Sequence, residues 1–175
     1  DARATARTIG DVPPALSTAY HIMLGLSSHD LSAMREIIGM PHDVLYAAVR
    51  QTGRYICAAF DYGDFVCHFE TGIDDIPRFD AHIEVYGAEA VVRVDYDTPY
   101  VRNLPTRLTV TRARGRHGVG TAYQHDWGDS FTEEWRSLAA SVAAGTAPKT
   151  SPSDFRNDLE LFGRIMERLK AAAGG

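Results

Sequence analysis

Apolar and polar residues alternate along most of residues 44–127, and this pattern predicts a series of short β-strands. Glycine, proline and paired aspartates separate the alternating runs, as turn residues do between neighbouring strands. We therefore predict an antiparallel meander. Its strands are Val44 to Arg50, Arg54 to Asp61, Asp64 to Thr71, Arg78 to Tyr86, Glu89 to Asp95, Arg107 to Arg114 and Gly118 to Trp127.

Three other stretches repeat their apolar residues at helical spacing. The predicted starts are Ser27, Ser130 and Pro152, and the first two have the capping-box pattern, with an acidic residue three positions later. Residues 1–26 are predicted to be an irregular lead-in. The pattern as a whole predicts an α+β fold in a single domain, residues 1–175, with one open, mainly antiparallel β-sheet and helices packed on one face.

The two cysteines lie in adjacent predicted strands. A two-residue hairpin loop at residues 62–63 would place Cys67 opposite Ala58 and Cys57 on the other face of the sheet. We therefore predict two free thiols, which are typical of a reducing cytoplasm.

The predicted sheet has one apolar face and one mixed face. The apolar face consists of Ile56, Ala58, Phe60, Phe65, Cys67, Phe69, Phe79, Ala81, Ile83 and Val85. The mixed face consists of Tyr55, Cys57, Ala59, Val66, His68, Glu70, Asp80, His82, Glu84 and Tyr86. Aromatic and apolar groups among charges are usual in interfaces, so we predict a homo-oligomer formed through the mixed face.

Composition excludes several classes of function. The net charge of −5 and a pI near 5.8 argue against a nucleic-acid partner, which needs a clustered basic surface. The chain has no apolar run of the length that spans a bilayer and does not open with a signal-peptide pattern. We therefore expect a cytoplasmic protein without a membrane partner.

Few residues have a pattern that indicates chemistry. The glycines of residues 115–120 have the wrong spacing for a dinucleotide fingerprint, and they join two predicted strands. No third ligand accompanies the histidines, so no metal site is predicted. His29 follows the predicted helix start at Ser27 by two positions, where the helix dipole favours a neutral imidazole that can donate or accept a proton. A polar first-turn residue without a role is the alternative interpretation.

Three segments together resemble a known family. Residues 25–41, GLSSHDLSAMREIIGMP, are similar to the H-D-x-x-x-x-R-x-x-x-G-x-P helix that opens the C-terminal domain of the Gfo/Idh/MocA oxidoreductases (glucose-fructose oxidoreductase, inositol dehydrogenase and relatives). Residues 83–94, IEVYGAEAVVRV, resemble the family's strand-turn-strand I-x-V-x-G-x-E-G-x-L. Residues 151–155, SPSDF, which lead into an apolar helix, also match. The resemblance extends from about His29 to the end of the chain, and its strength lies in the order of the segments.

The resemblance implies the C-terminal, substrate-binding and oligomerisation half of an NAD(P)-dependent oxidoreductase that acts on a sugar, polyol or related carbonyl or alcohol. NAD or NADP would be bound by an N-terminal Rossmann domain that this chain lacks, so no cofactor is expected in the fragment, which alone would be inactive. His29 matches the family's histidine and is the expected catalytic residue. We expect Tyr96, Tyr100 and His125 to bind substrate and to be the alternative proton sources if His29 only caps its helix.

Two alternatives remain open. Many family members have an aspartate four residues before the histidine, where this chain has Gly25. This difference suggests a non-catalytic binding or oligomerisation module derived from the same fold. A cone-shaped α+β fold, as in the NTF2-like isomerases and dehydratases, would instead curl its sheet around a pocket.

Overall fold

The computed structural model describes residues 2–124 and 127–174, and the chain divides into two compact units. The first unit comprises residues 1–75 and 150–175, and the second comprises residues 76–149. Each unit has its own antiparallel sheet, so the predicted single domain is built from two units.

Helices occupy most of the N-terminal segment of the first unit. They are α1 (Ala2–Ile9), α2 (Pro14–Ile22) and α3 (Ser28–Ile38), and a π-helical turn (Met23–Ser27) connects α2 to α3. The prediction that residues 1–26 are irregular is therefore wrong. The missed signal is the helical spacing of the buried residues Leu16, Ala19, Tyr20 and Met23, which follow a proline at the first helical position.

Ser27 does not begin a helix, which corrects the predicted capping box. It has helical φ and ψ angles, its side chain makes no capping hydrogen bond, and it is fully buried. The chain is helical from Pro14 to Ile38 without a break. His29 therefore does not lie at a free helix N-terminus, and the dipole argument for its imidazole loses its structural basis.

The first sheet has the strand order β1 (Asp43–Arg50), β2 (Tyr55–Asp61) and β3 (Val66–Gly72). Cys67 lies opposite Phe60 instead of the predicted Ala58, because the hairpin loop contains four residues, 62–65. This loop is closed by the Tyr62 N–H, which donates to the Phe65 carbonyl at 3.1 Å. A shift of two residues keeps every side chain on its face, and both cysteines are free thiols, as predicted.

The turn between β1 and β2 packs tightly against the start of α2. Gly53 in this turn has a φ of +93°, and a Cβ atom at this position would lie 2.0 Å from the Ala15 carbonyl oxygen. A side chain is therefore excluded at this turn by both conformation and contact.

The core of the first unit lies between its sheet and its helices. In β2 the predicted alternation is confirmed, because Ile56, Ala58 and Phe60 are all buried. Helix α5 (Phe155–Gly174) covers this face and contacts β1. Its fully buried stripe is Leu161, Phe162, Ile165, Met166 and Leu169.

The second unit contains a four-stranded sheet in sequential order. Its strands are β4 (Ala81–Tyr86), β5 (Ala90–Tyr96), β6 (Arg107–Arg114) and β7 (His117–Gln124). The α+β class with open antiparallel sheets is confirmed, although the strands belong to two sheets instead of one. The last predicted strand was to reach Trp127, and its residues 125 and 126 lie outside the described residues.

Helix α4 (Ser130–Ala144) completes the second unit, and its cap is Asp129 instead of the predicted Ser130. The Asp129 carboxylate accepts from the Thr132 N–H at 2.9 Å and from the Thr132 hydroxyl at 3.1 Å. Helices were predicted to pack on one face of the sheet, but the apolar residues that repeat at helical spacing along α4 are 39% to 74% exposed: Phe131, Trp135, Leu138 and Val142.

Within the described part of the chain, no helix is both long enough and apolar enough to cross a bilayer.

Candidate functional site

The predicted site residues lie in both units. His29 is in the first turn of α3, in the first unit. Tyr96 is the last residue of β5 and Tyr100 follows it in the β5–β6 loop, so both belong to the second unit. His125 lies outside the described residues.

His29 is on the exposed face of α3. Leu31 and Met34 are buried, and the helical period places them on the side of α3 that faces away from His29. The π-helical turn before His29 contains Gly25, which is exposed, and a Cβ atom at Gly25 would meet nothing within 4 Å. His29 is thus accessible to a small molecule, and the surface beside it has room for a side chain at Gly25.

Arg35, six residues after His29, joins α3 to α5 through two carboxylates. Its Nε donates to Asp158 Oδ1 at 2.8 Å and its Nη2 to Asp158 Oδ2 at 2.9 Å, a bidentate pair. The same Nη2 donates to Asp154 Oδ2 at 3.0 Å. The side chains of Arg35 and Asp158 are 8% and 2% exposed, so this is a buried ion-pair cluster.

The hydrogen bonds of the cluster shift the pKa values of two of its members. Those that Arg35 donates to the two carboxylates raise the pKa of Arg35 further above its normal range. The hydrogen bond from Arg35 in turn lowers the pKa of Asp154. Sequence analysis did not assign this clamp, although an arginine four residues after the buried Leu31 is a signal for it.

The clamp connects two of the segments that carry the family resemblance. Arg35 is the arginine of the first segment, and Asp154 is the aspartate of the segment at residues 151–155. Residues more than a hundred positions apart in sequence therefore form one cluster, which fixes α3, and with it His29, relative to α5.

A cleft of about 730 Å³ lies in the second unit, between the β5–β6 loop and the first turns of α4. Tyr100 lines it, as do five residues that were not predicted to be site residues: Arg102, Asp129, Phe131, Trp135 and Arg136. The missed signal is the spacing of Phe131 and Trp135, which places two aromatic rings on one face of α4.

The polar groups of the cleft differ in the hydrogen bonds and ion pairs that they form. Asp129 accepts hydrogen bonds from Thr132 and from the Asn103 backbone, and these bonds together with the nearby charge of Arg102 lower its pKa. Arg136 pairs with Glu133 at 2.5 Å. Among the described residues, the Arg102 guanidinium forms no hydrogen bond, and its charge interacts with that of the Asp129 carboxylate.

Three solved structures to which the chain is similar are a ketoreductase and two proteins provisionally named oxidoreductases. The chain is similar to yvaA of Bacillus subtilis, provisionally named an oxidoreductase, with 17% identity, a TM-score of 0.66, and coverage of 86% of this chain and 51% of that one. It is also similar to KijD10, a 3-ketoreductase from Actinomadura kijaniata solved with TDP-benzene and NADP, with 14% identity, a TM-score of 0.59, and coverage of 85% and 46%.

A third similar structure comes from Yersinia pestis and is also provisionally named an oxidoreductase, with 15% identity, a TM-score of 0.60, and coverage of 84% and 47%. The chain therefore spans about half the length of the solved structures it matches. No protein-family model matches the chain, and no curated protein matches it. The fold agrees with the one that the sequence resemblance implies.

Proposed function

We propose that this chain is the substrate-binding and oligomerisation half of an NAD(P)-dependent oxidoreductase of the Gfo/Idh/MocA type, acting on a sugar, polyol or related carbonyl. The observation that carries the proposal is the Arg35 clamp, because it unites two segments that resemble the family by sequence. The shared fold with oxidoreductases, one of them a ketoreductase solved with NADP, supports it.

The described residues do not fit a dinucleotide. A phosphate-binding fingerprint needs a glycine-rich turn from a strand into a helix. The glycine run at residues 115–120 instead forms the turn between β6 and β7 and the start of β7. In the proposed protein the cofactor is bound by the N-terminal Rossmann domain that the resemblance implies, and it supplies or accepts the hydride.

The proposed role of His29 is to transfer the proton that accompanies the redox step. In the reducing direction, the imidazole donates a proton to the carbonyl oxygen of the substrate as that oxygen becomes a hydroxyl. In the oxidising direction, the imidazole accepts the hydroxyl proton. The exposed position of His29 gives a substrate access to the ring, and the Arg35 clamp holds the helix that carries it.

Replacement of His29 in the intact enzyme tests this role. His29→Ala is expected to lower turnover by about 10²- to 10⁴-fold, the usual range for a general acid or base, with a much smaller change in substrate affinity. His42→Ala is a matched control, because His42 is exposed in the same unit. Normal turnover of His29→Ala would remove His29 from the mechanism and direct the search to Tyr96, Tyr100 and His125.

Gly25 allows a further test of the same site. Gly25→Asp would place a carboxylate in open space one helical turn before His29, where many family members have an aspartate. If His29 transfers the proton, this carboxylate is expected to orient the ring and to maintain or raise turnover. Unchanged turnover in both variants would exclude a proton-transfer role for His29, whereas the absence of any turnover in the intact protein would favour the non-catalytic module.

Dinucleotide binding tests the proposal that a separate domain binds the cofactor while this chain binds the substrate. This 175-residue chain is expected to show no binding of NAD(H) or NADP(H) in titration calorimetry, whereas the intact protein binds one of them. Micromolar binding by this chain would contradict the proposal that a separate domain holds the cofactor.

The proposed homo-oligomer uses the mixed sides of the sheets. Val66 in β3 and Tyr86 in β4 are both exposed, and such residues are common at subunit interfaces. Val66→Ser and Tyr86→Ser are expected to weaken the oligomer, as measured by light scattering over a range of protein concentrations. A monomeric mass of the unmodified protein at high concentration would contradict this part of the proposal.

A further inference from the structure

The cleft between the β5–β6 loop and α4 combines exposed aromatic rings with an exposed arginine, Arg102, which forms no hydrogen bond with the described residues. Tyr100 and Trp135 are 86% and 68% exposed, and Phe131 packs beside Tyr100 with ring centroids 6.3 Å apart. Large exposed aromatic groups gathered at one concave surface are characteristic of binding sites. The volume of about 730 Å³ is within the range of small-molecule sites.

Arg102 gives the cleft hydrogen-bond donors that the described residues do not use. Both oxygens of Asp129 already accept hydrogen bonds from Thr132, and Arg136 is paired with Glu133. Arg102 is left with a planar guanidinium whose donors match the oxygens of a carboxylate or phosphate in a bidentate arrangement. The start of α4 is not itself an anion site, because the Asp129 carboxylate occupies it.

The aromatic rings favour a ligand with a flat or weakly polar face. A sugar ring presents C–H groups on its faces, and these groups can pack against the exposed rings of Trp135 and Tyr100. A carboxylate or phosphate on the ring would accept charge-assisted hydrogen bonds from Arg102, which are stronger than those to a neutral hydroxyl group. The aromatic rings and Arg102 together favour a sugar ring that carries an anionic group.

We propose that this cleft binds a sugar that carries a carboxylate or phosphate group, with Arg102 holding the anion and Trp135 packing against the ring. The inference rests on the proposed function and names acidic sugars as the ligands of this cleft. Arg102 and Trp135 are binding residues in this proposal.

Calorimetric titration of the protein without cofactor tests the cleft directly. Glucuronate is a sugar ring with a carboxylate, and glucose 6-phosphate is a sugar ring with a phosphate. Glucose has the ring without an anion, and inorganic phosphate is the anion without a ring. We expect at least one of the two charged sugars to bind with a Kd between about 10 μM and 1 mM, the range typical of metabolite sites. Glucose and inorganic phosphate are each expected to bind at least about tenfold more weakly, since each lacks one of the two contacts.

Two variants and a control assign the binding to the cleft. Arg102→Gln is expected to weaken the charged sugar at least about tenfold and to leave glucose unchanged. Trp135→Leu is expected to weaken the charged sugar and glucose but not inorganic phosphate. Arg116→Gln is the matched control, because Arg116 is exposed in the same unit but lies in the β6–β7 turn, outside the cleft, and it is expected to have no effect.

Several outcomes would overturn the proposal. The first is a failure of both charged sugars to bind at 10 mM, a concentration on the order of tenfold above the expected range. The second is binding of glucose as tight as that of the charged sugars. The third is a loss of affinity in Arg116→Gln as large as that in Arg102→Gln. Because these titrations involve no redox step, such a failure would leave the proposed oxidoreductase function standing. Loss of turnover in His29→Ala with a neutral sugar would still support that function.

Discussion

The two units of this protein differ in how they are stabilised. Of the twenty buried hydrophobic residues among those described, nineteen lie in the first unit, and the second has only Val110. The first unit encloses a core between its sheet and its helices, whereas the second exposes apolar residues on both its sheet and α4. Hydrophobic burial is the main stabilising term in folding. The first unit therefore has the larger hydrophobic stabilisation, and the second leaves apolar surface exposed.

Each unit also contains an arginine that pairs with two carboxylates. In the first unit Arg35 and Asp158 are buried. In the second unit Arg93 pairs with Asp95 at 2.7 Å and with Glu84 at 3.4 Å, and all three side chains are partly exposed. Similar chemistry therefore occurs in two different solvent environments, and this difference can be measured.

The largest expected difference between the units concerns phenylalanine. Phe162→Ala in the first unit removes a ring that is 0% exposed and is expected to lower the free energy of unfolding by about 3–5 kcal/mol. Phe131→Ala in the second unit removes a ring that is 45% exposed and is expected to cost less than about 1 kcal/mol.

Amide hydrogen exchange, analysed by peptide, follows each unit separately. Both tryptophans of the chain, Trp127 and Trp135, lie in the second unit, so their fluorescence during urea denaturation reports on that unit. Equal losses of stability for Phe162→Ala and Phe131→Ala would show that α4 is buried in solution and would end the contrast between the units.

The two arginine clusters provide the next comparison. Arg35→Met leaves Asp158 buried without a partner, and it is expected to cost about 3–5 kcal/mol in the free energy of unfolding. Arg93→Met is expected to have little effect, because water replaces the lost partner of exposed carboxylates. Urea denaturation followed by circular dichroism measures both. A larger effect of Arg93→Met than of Arg35→Met would contradict the view that the Arg35 cluster is the buried one of the two.

The cap of α4 is expected to have a smaller and local effect. Asp129→Ala removes the acceptor of the Thr132 N–H, so amide exchange in the first turn of α4 is expected to become roughly fivefold faster. Ser130→Ala serves as the control, since Ser130 is not the cap residue. If Ser130→Ala accelerates exchange more than Asp129→Ala, the cap has been assigned to the wrong residue.

The smallest expected effect is a dependence on pH. Arg35 lowers the pKa of Asp154, so this aspartate binds a proton more readily in the unfolded chain than in the folded protein. Its contribution to stability is therefore present at neutral pH and is lost as the pH falls below about 5, where unfolded aspartates begin to bind protons.

Asp154→Asn tests this dependence. The variant is expected to be less stable than the unmodified protein at pH 7 and to lose less stability between pH 5 and 3, as measured by thermal unfolding. Asp64→Asn, at an exposed turn of the same unit, is the control. An unchanged pH dependence in Asp154→Asn would show that the Arg35 hydrogen bond does not perturb this carboxylate.

Periodicity predicted the strands well because each strand carries its own pattern. The strand Arg107 to Arg114 was predicted with its observed ends, and the faces of β2 and β3 survived a hairpin register that was wrong by two residues. Side chains alternate with a period of two, so a slip of two residues exchanges no face. The length of the loop depends on the Tyr62–Phe65 contact, which the alternation does not specify.

The site was less predictable because its parts come from distant positions. His29 and Tyr100 were named from residue type, motif and resemblance, and the structure places Tyr100 in a cleft. The partners of Arg35 are more than a hundred residues away in sequence. Arg102 and the aromatic rings of α4 line one cleft only because the β5–β6 loop folds beside that helix. Local sequence patterns carry no information about such long-range proximity.

The sequence by itself determined the strands and the helices α3 to α5 approximately, the free thiols and the α+β class, since local spacing and turn residues encode these properties. The tertiary structure decided that the strands divide between two sheets, that Ser27 lies within a continuous helix, and that the stripe of α4 is exposed. Each of these depends on which apolar surfaces pack together and which do not. Packing is a property of the whole chain, and neighbouring residues alone do not fix it.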